Sequence, residues 1–361
     1  YVKYAGKGNE LNGWNSIIEI WVHGTPVTSS GGGEEDGTDD SPTNGGGMPA
    51  GGQQGGGSRP EPVKENGGVV IPVSAPVIER TEGGQTVATT SLAADSLRKA
   101  LTLLSAEERR GELHLQVDLQ GEGEVAVLQL PAGAFAEAAA EAPMASLRVT
   151  YGGLTYELPL EALQLDAIAR SLSTDLKDIV LSVQVGAVPE AEAARLKERA
   201  AAHDAMLLSL PVEFHLTAEA GGRQTALNDF GTAYAPRTLV APGQLSSEKV
   251  TAVTFDPVSG EPVFVPAVFT VREDGTTAVT IYRTGNSVYA IAQARRSFAD
   301  LAEHWAKLPV ERMASKLLVN GTAEGEFAPD RSVSRAEFAA MLVRTMGLTP
   351  KPSTAFPDVA G

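Results

Sequence analysis

The chain has 361 residues, including 38 Gly, 22 Pro and no Cys, and a formal net charge of -16. Such a charge repels nucleic acid and acidic lipid headgroups unless a basic face exists, and the sequence has no basic run, so neither a nucleic-acid partner nor membrane insertion is expected. Without Cys there are no disulfides, thiolate metal sites or Cys nucleophiles, and no apolar run approaches the length of a membrane span.

Residues 1–24 start without an initiator Met or an apolar leader and read as an incomplete two-strand remnant whose partners are expected upstream, with "SIIEIWVHG" as a strand closed by Gly24. Residues 25–67 are almost devoid of apolar side chains that could offset the entropy of ordering, and are expected to be a long, disordered, Gly-rich linker.

Residues 68–295 mix both periodicities. "SLAADSLRKALTLLS" places Leu92, Leu97, Leu101 and Leu104 near one helical face. "HLQVDL" and "VAVLQL" both alternate and are separated by "GEGE", which predicts a hairpin. "ASLRVTYGGLTYELPL" predicts a second one, turning at Gly152 and Gly153. "LEALQLDAIARSLS" reads as a short helix, and "DIVLSVQV" as a strand with Ile179, Leu181, Val183 and Val185 on one face. "PEAEAARLKERAAAHDAM" reads as a helix with Pro189 in its first turn. "LPVEFHLTAEAGGRQTAL" and "VFTVREDGTTAVTIYR" predict two more hairpins, the latter with Asp274 and Gly275 in a primed turn. The fold class is therefore mixed α+β and multidomain, with antiparallel strands dominating this middle domain and a division into two sub-domains near 186–210 left open.

Residues 296–350 read as a helical pair. In "SFADLAEHWAKLPVERMASKLLVNG", Trp305, Val310, Met313 and Leu317 can form an apolar stripe. "TAEGEFAPDRSVS" is a turn-rich crossing. Ser334 with Glu337 makes a capping box for a second helix, whose inner side carries Phe338, Met341, Leu342 and Thr345 and which Gly347 ends. So small a unit buries little surface alone and needs neighbours of its own kind. "FPDVAG" repeats the opening "SFADLAE", Phe356 matching Phe298 and Asp358 matching Asp300, so a second unit is expected to begin at 355–361 and to be cut off.

These residues resemble the S-layer homology (SLH) domain. Phe298 and Asp300, the His304–Trp305–Ala306 word, Gly321 and Gly325 around the inter-helix turn, Phe327–Pro329–Asp330 and "SRAEFA" at 334–339 all match, with Ser334 where the family usually has Thr. The resemblance implies a secreted protein held non-covalently at the wall or S-layer of a Gram-positive-type bacterium. The implied partner is pyruvylated secondary cell wall polysaccharide, bound in grooves between SLH units, so further SLH units of the same or another chain are also implied. Carried over residue by residue, the polysaccharide-binding set is Arg335, Asp300, Gly321 and Gly325, with Trp305 either lining the groove or filling the core. Residues 1–24 resemble the last strands of a discoidin-like carbohydrate-binding β-sandwich, and 68–295 resemble a domain found directly before such anchors, with no chemistry assigned to it.

The chemistry of Arg335 supports the same ligand class. A guanidinium matches a carboxylate bidentately, and Arg335 stands in the first turn of its helix, where free N–H groups also favour an anion. The alternative is an ordinary surface ion pair. Asp300 can bond sugar hydroxyls or lock a loop. No catalytic site is expected in the chain: His23, His114, His203, His215 and His304 lack zinc-ligand spacing, and no HExxH, GxSxG, dinucleotide or phosphate-loop word occurs. No cofactor or metal is expected either. Two further readings of the whole protein stand beside anchoring: a wall-held polysaccharide-degrading enzyme with its catalytic domain upstream, and a structural surface-lattice protein.

Overall fold

The computed structural model describes residues 2–3, 21–22, 61–65, 68–104, 113–248 and 250–348. The chain forms two compact units, Tyr1–Arg59 and Pro60–Gly361. In the first, β1 (Val2–Lys3) and β2 (Trp21–Val22) pair antiparallel, with Val2 opposite Val22. The rest of the expected sandwich remnant, most of the expected linker and the expected second repeat at 355–361 lie outside the described residues.

The second unit begins with β3 (Val63–Glu65), inside the stretch expected to be linker, then β4 (Gly68–Val70), β5 (Val77–Arg80), β6 (Thr86–Ser91) and α1 (Ala94–Leu103). There follow β7 (His114–Asp118), β8 (Val125–Pro131), α2 (Ala132–Glu141), β9 (Ser146–Tyr151), β10 (Leu154–Pro159), α3 (Leu165–Leu172), β11 (Val180–Ala187), α4 (Glu190–Ala202) and β12 (Ala205–Leu207). Next come β13 (Val212–Ala220), β14 (Arg223–Ala226), β15 (Ala235–Ala241), β16 (Thr251–Phe255), β17 (Pro262–Val265), β18 (Ala267–Val271), β19 (Thr277–Arg283) and β20 (Ser287–Ala294). The helices α5 (Lys307–Ser315) and α6 (Arg335–Thr345) close the chain.

Two sheets result. One runs β18-β19-β15-β10-β9-β7-β4-β3, and the other β17-β16-β20-β13-β11-β8-β6-β5, with β12 added on β20 and β14 on β13. Their inner faces share one core. Leu115, Val117, Leu147, Val149 and Leu158 of the first sheet cluster with Leu128, Leu130, Leu181, Val183, Phe214 and Leu216 of the second, all buried. The Tyr156 and Phe214 rings meet edge-on at 5.5 Å across the gap between the sheets, as expected of sheet-on-sheet packing. Arg237 of β15 is wholly buried there. Its guanidinium lies over the Tyr156 and Tyr289 rings, 5.0 and 5.4 Å from their centroids, and donates to the carbonyls of Ala235 and Arg283 and to Asn286 Oδ1.

The expected faces of α1 and β11 are the buried ones, Leu92, Leu97, Leu101 and Leu104 on the former and Ile179, Leu181, Val183 and Val185 on the latter. The hairpin at 152–153 forms with Leu154 opposite Tyr151 and both glycines at positive φ, and β13–β14 turns at Gly221 and Gly222. Other expectations need correction. β7 and β8 are not a hairpin: β7 lies parallel to β4 and β9, and β8 parallel to β6 in the other sheet. The "GEGE" segment crosses from sheet to sheet, with Gly123 wedged so that a Cβ would come 2.9 Å from the Val125 carbonyl and 3.0 Å from that of Thr86. Alternation marked the inward faces but not the sheet each strand joins. No division falls at 186–210, because β11 and β13 pair along their whole overlap from Val180↔Glu219 to Ala187↔Val212, and α4 with β12 is an excursion between them. At 272–276 only Gly275 has positive φ, and Arg272 N–H donates to the Thr276 carbonyl, so the loop is a longer bulged turn rather than a primed one.

The helical pair is seated on the sandwich. Leu317 packs with Leu196, Val253, Phe255, Ala290 and Ala292, and Tyr234 Oη donates to the Met346 carbonyl at 3.2 Å. Gly347 lies so close to Pro266 that a side chain there would collide with its ring.

Candidate functional site

The helical unit is organised by its opening segment. Phe298 is extended and starts a single 3-10 turn at Ala299–Leu301. Phe298, Leu301, Ala314 and Val319 form a small buried cluster, flanked by half-buried Val310, Met313, Phe327 and Met341. The Phe298 and Phe327 rings meet at 5.4 Å. Pro309 is tolerated in α5 because it falls in the first turn, where its missing N–H has no intrahelical partner. The helix stops at Ser315, and Leu317, at φ 61, turns its side chain toward the sandwich. The expected stripe Trp305–Val310–Met313–Leu317 is therefore divided. Val310 and Met313 face the small cluster, Leu317 faces the sheets, and Trp305 precedes the helix and is 58% exposed.

Asp300 aims back at the inter-helix crossing. Its two carboxylate oxygens accept from the Phe327 N–H at 3.0 and 3.1 Å, and Oδ2 also accepts from the Ala328 N–H at 2.6 Å. The Phe327 N–H, with that of Ala328 behind it, holds the carboxyl below its ordinary range. These bonds accommodate Ala328 at φ 60, a conformation unusual for a residue with a side chain. Gly321 lies beneath the same loop: a Cβ would come 2.5 Å from the Glu326 carbonyl and 2.9 Å from the Phe298 ring. Gly325 sits at φ 72 in open space, and its carbonyl accepts from the Ala299 N–H at 2.9 Å. Asp300, Gly321 and Gly325 are thus brought together around one loop.

The start of α6 is a complete capping box. Ser334 Oγ accepts from the Glu337 N–H at 3.2 Å, and Glu337 Oε2 accepts from the Ser334 N–H at 2.9 Å. Arg331, a residue the sequence did not single out, clamps the same carboxylate at 2.6 and 3.3 Å. Arg331 first, and then the Ser334 N–H, push the Glu337 carboxyl down to about 2. The far end closes in a Schellman arrangement, with Gly347 N–H on Arg344 and Leu348 N–H on Val343. No residue of α6 is fully buried; Phe338, Met341 and Leu342 are half-buried.

Arg335, the first residue of α6, is exposed, and its guanidinium has no partner among the described residues. The one carboxylate in its own helical turn, Glu337, is occupied by Ser334 and Arg331. Trp305 stands beside His304, with ring centroids 5.4 Å apart, while His304 Nδ1 accepts from the Ala306 N–H and its Nε2 lies 3.9 Å from the Asp330 carboxylate. Among the described residues, no hydrogen bond ties Arg335 or Trp305 to the Asp300 loop. Among the same residues, no group of three His, Asp or Glu side chains is placed to hold a metal, and no helix is long and apolar enough to cross a membrane.

Comparison with known proteins matches residues 297–339 to the S-layer homology domain. Over 70 residues the chain is 34% identical to an amylopullulanase of Thermoanaerobacterium thermosulfurigenes, which covers 19% of this chain and 4% of that protein. Over 52 residues it is 36% identical to endo-1,4-beta-xylanase A of Thermoanaerobacterium saccharolyticum and 35% identical to exoglucanase XynX of Acetivibrio thermocellus, in each case 14% of this chain and 4% or 5% of the relative. The chain thus spans only a small fraction of these relatives. It contains an S-layer homology domain, a module for attachment to the cell wall, which places it outside the cell at the wall or S-layer of a Gram-positive-type bacterium.

Proposed function

We propose, taking that domain as the premise, that the chain tethers a larger exported protein by binding pyruvylated secondary cell wall polysaccharide, with Arg335 gripping the pyruvyl carboxylate. The observation that carries this reading is the exposed Arg335 guanidinium, unpaired among the described residues while its neighbouring carboxylate is doubly engaged. A fork of donors left free at a helix N-terminus suits a planar oxyanion. Asp300, Gly321 and Gly325 act as positioning residues that hold the crossing loop, and the exposed Trp305 is free to stack on a sugar face. The half-buried apolar side of α6 supports the further reading that neighbouring SLH units complete the groove.

The test is sedimentation with purified walls, comparing this chain, a version extended to three units, and that version with Arg335→Ala. Strong binding by the extended chain, lost in the Arg335 variant or on walls stripped of pyruvate, is expected. Equal, strong binding by all three would overturn the proposal.

For the whole protein, a wall-held polysaccharide-degrading enzyme is the second reading, favoured by the likeness to an amylopullulanase, a xylanase and an exoglucanase. The described residues are then its non-catalytic anchor, and residues 1–24 the end of a discoidin-like sugar-binding domain. Sequencing the flanking coding region tests it, since an upstream region without a catalytic domain would exclude it.

A further inference from the structure

With 45 Asp and Glu against 29 Lys and Arg, clusters of arginine stand out in this chain. One is the cleft where β20 hands over to the helical unit, about 400 Å³ in volume. Arg295 and Arg296, just past β20, line it with Leu308, Glu311 and Arg312 of α5 and with Glu248 from the loop before β16. Arg295 is exposed and without a partner among the described residues. Arg296 spends Nη2 on the His203 carbonyl at 2.9 Å, while its Nε is buried with no acceptor among the described residues. Arg312 pairs with Glu248 at 2.9 Å, but both side chains stay more than half exposed, so the pair is open to exchange. Leu308, 77% exposed, supplies an apolar wall. One turn further on, Lys316 is half-buried, and burial, followed by repulsion from Arg312, lowers its pKa.

We propose that this junction cleft is a second anion site, which takes the carboxylate of an acidic saccharide between Arg295 and Arg312 while the sugar's C–H face rests on Leu308. Guanidinium forks hold a carboxylate bidentately, and a ligand carboxylate can take over Arg312 from Glu248 by exchange of like for like. Unlike a groove at Arg335, this cleft is complete within one helical unit and the sandwich beneath it. The saccharide part rests on the wall location; the anion part does not.

Calorimetric titration of the full chain with tetragalacturonate, a neutral galactose oligomer of the same length, and inorganic phosphate separates the possibilities. Tetragalacturonate is expected to bind and the neutral oligomer not to. Arg295→Glu should weaken binding at least about ten-fold, and Glu248→Gln should tighten it several-fold by releasing Arg312. Phosphate binding without tetragalacturonate binding would overturn the saccharide assignment. No effect of Arg295→Glu, or weakening by Glu248→Gln, would overturn the site itself, and neither result touches the wall-binding proposal, which is read by sedimentation with purified walls.

Discussion

The sandwich and the helical pair are built on the same chain to opposite standards of closure. In the sandwich, whole rows such as Leu181, Val183 and Val185 are sealed from water, and even a charged side chain, Arg237, is enclosed and stacked between rings. In the helical pair, four residues form the buried cluster and α6 contributes no fully buried side chain. Polar locks take over: a capping box, an Arg331–Glu337 clamp and the Asp300 clasp. The sandwich keeps its apolar surface to itself, whereas the helical pair leaves the apolar side of α6 half-covered and relies on hydrogen bonds.

The largest expected effect tests that contrast directly. Phe214→Ala removes a wholly buried ring between Tyr156 and Tyr289 and should cost about 3–5 kcal/mol in urea unfolding. Phe338→Ala, half-buried on α6, should cost about 1 kcal/mol, rising toward the sandwich value in a three-unit version if neighbours cover that face. Equal costs in the single-unit chain would erase the distinction. Next, Gly321→Ala should cost about 1–3 kcal/mol, because a methyl group there meets the Glu326 carbonyl and the Phe298 ring; Gly325→Ala meets no atom and should be milder, limited to its positive φ. Comparing the thermal midpoints of the two variants checks this.

Smaller effects should stay local. Ser334→Ala should cost about 1 kcal/mol, seen as faster hydrogen exchange in α6 with β11 and β13 unchanged. Glu337 supplies a pH signature. Its carboxyl is depressed from 4.5 to about 2 in the folded chain, so its contribution is complete above the ordinary value and drains away as pH falls through about 2. Exchange in the first turn of α6 should therefore quicken between about pH 4.5 and 2, and Glu337→Gln should remove that dependence. A pH-independent α6 in the parent chain would mean the clamp contributes nothing there.

Much of this was legible beforehand, wherever one residue type has one use. Glycine pairs marked the turns at 152–153 and 221–222, alternation marked the sealed face of β11, and a Ser with a Glu three residues on marked the start of α6. What was not legible depends on distant partners. The α2 segment "AGAFAEAAAE" has small side chains nearly all round, so no apolar stripe announces a helix, and Gly133 is accommodated where it packs over the Lys177 backbone. Arg237 occupies an inward position between Ala235 and Leu239, but only Tyr156, Tyr289 and Asn286, brought in by other strands, explain how a cation survives there. At the candidate site, the words around Asp300 and Arg335 marked the inter-helix crossing and the start of α6. They did not reveal that Asp300 is committed to backbone amides, that Trp305 faces water, or that Arg331 holds Glu337.

The passage of the chain from sheet to sheet between β6 and β9 bears on the order of assembly. The pairs β9–β10, β13–β14 and β18–β19 join neighbours in sequence and can close early, whereas β6 cannot meet β8, nor β7 meet β9, until an intervening strand has been delivered to the opposite layer. Refolding should therefore be paced by the amino-terminal half, and pulse-labelled amides should be protected in β13 and β19 before β7 and β8. Simultaneous protection of all four strands would show that the two layers condense in one step.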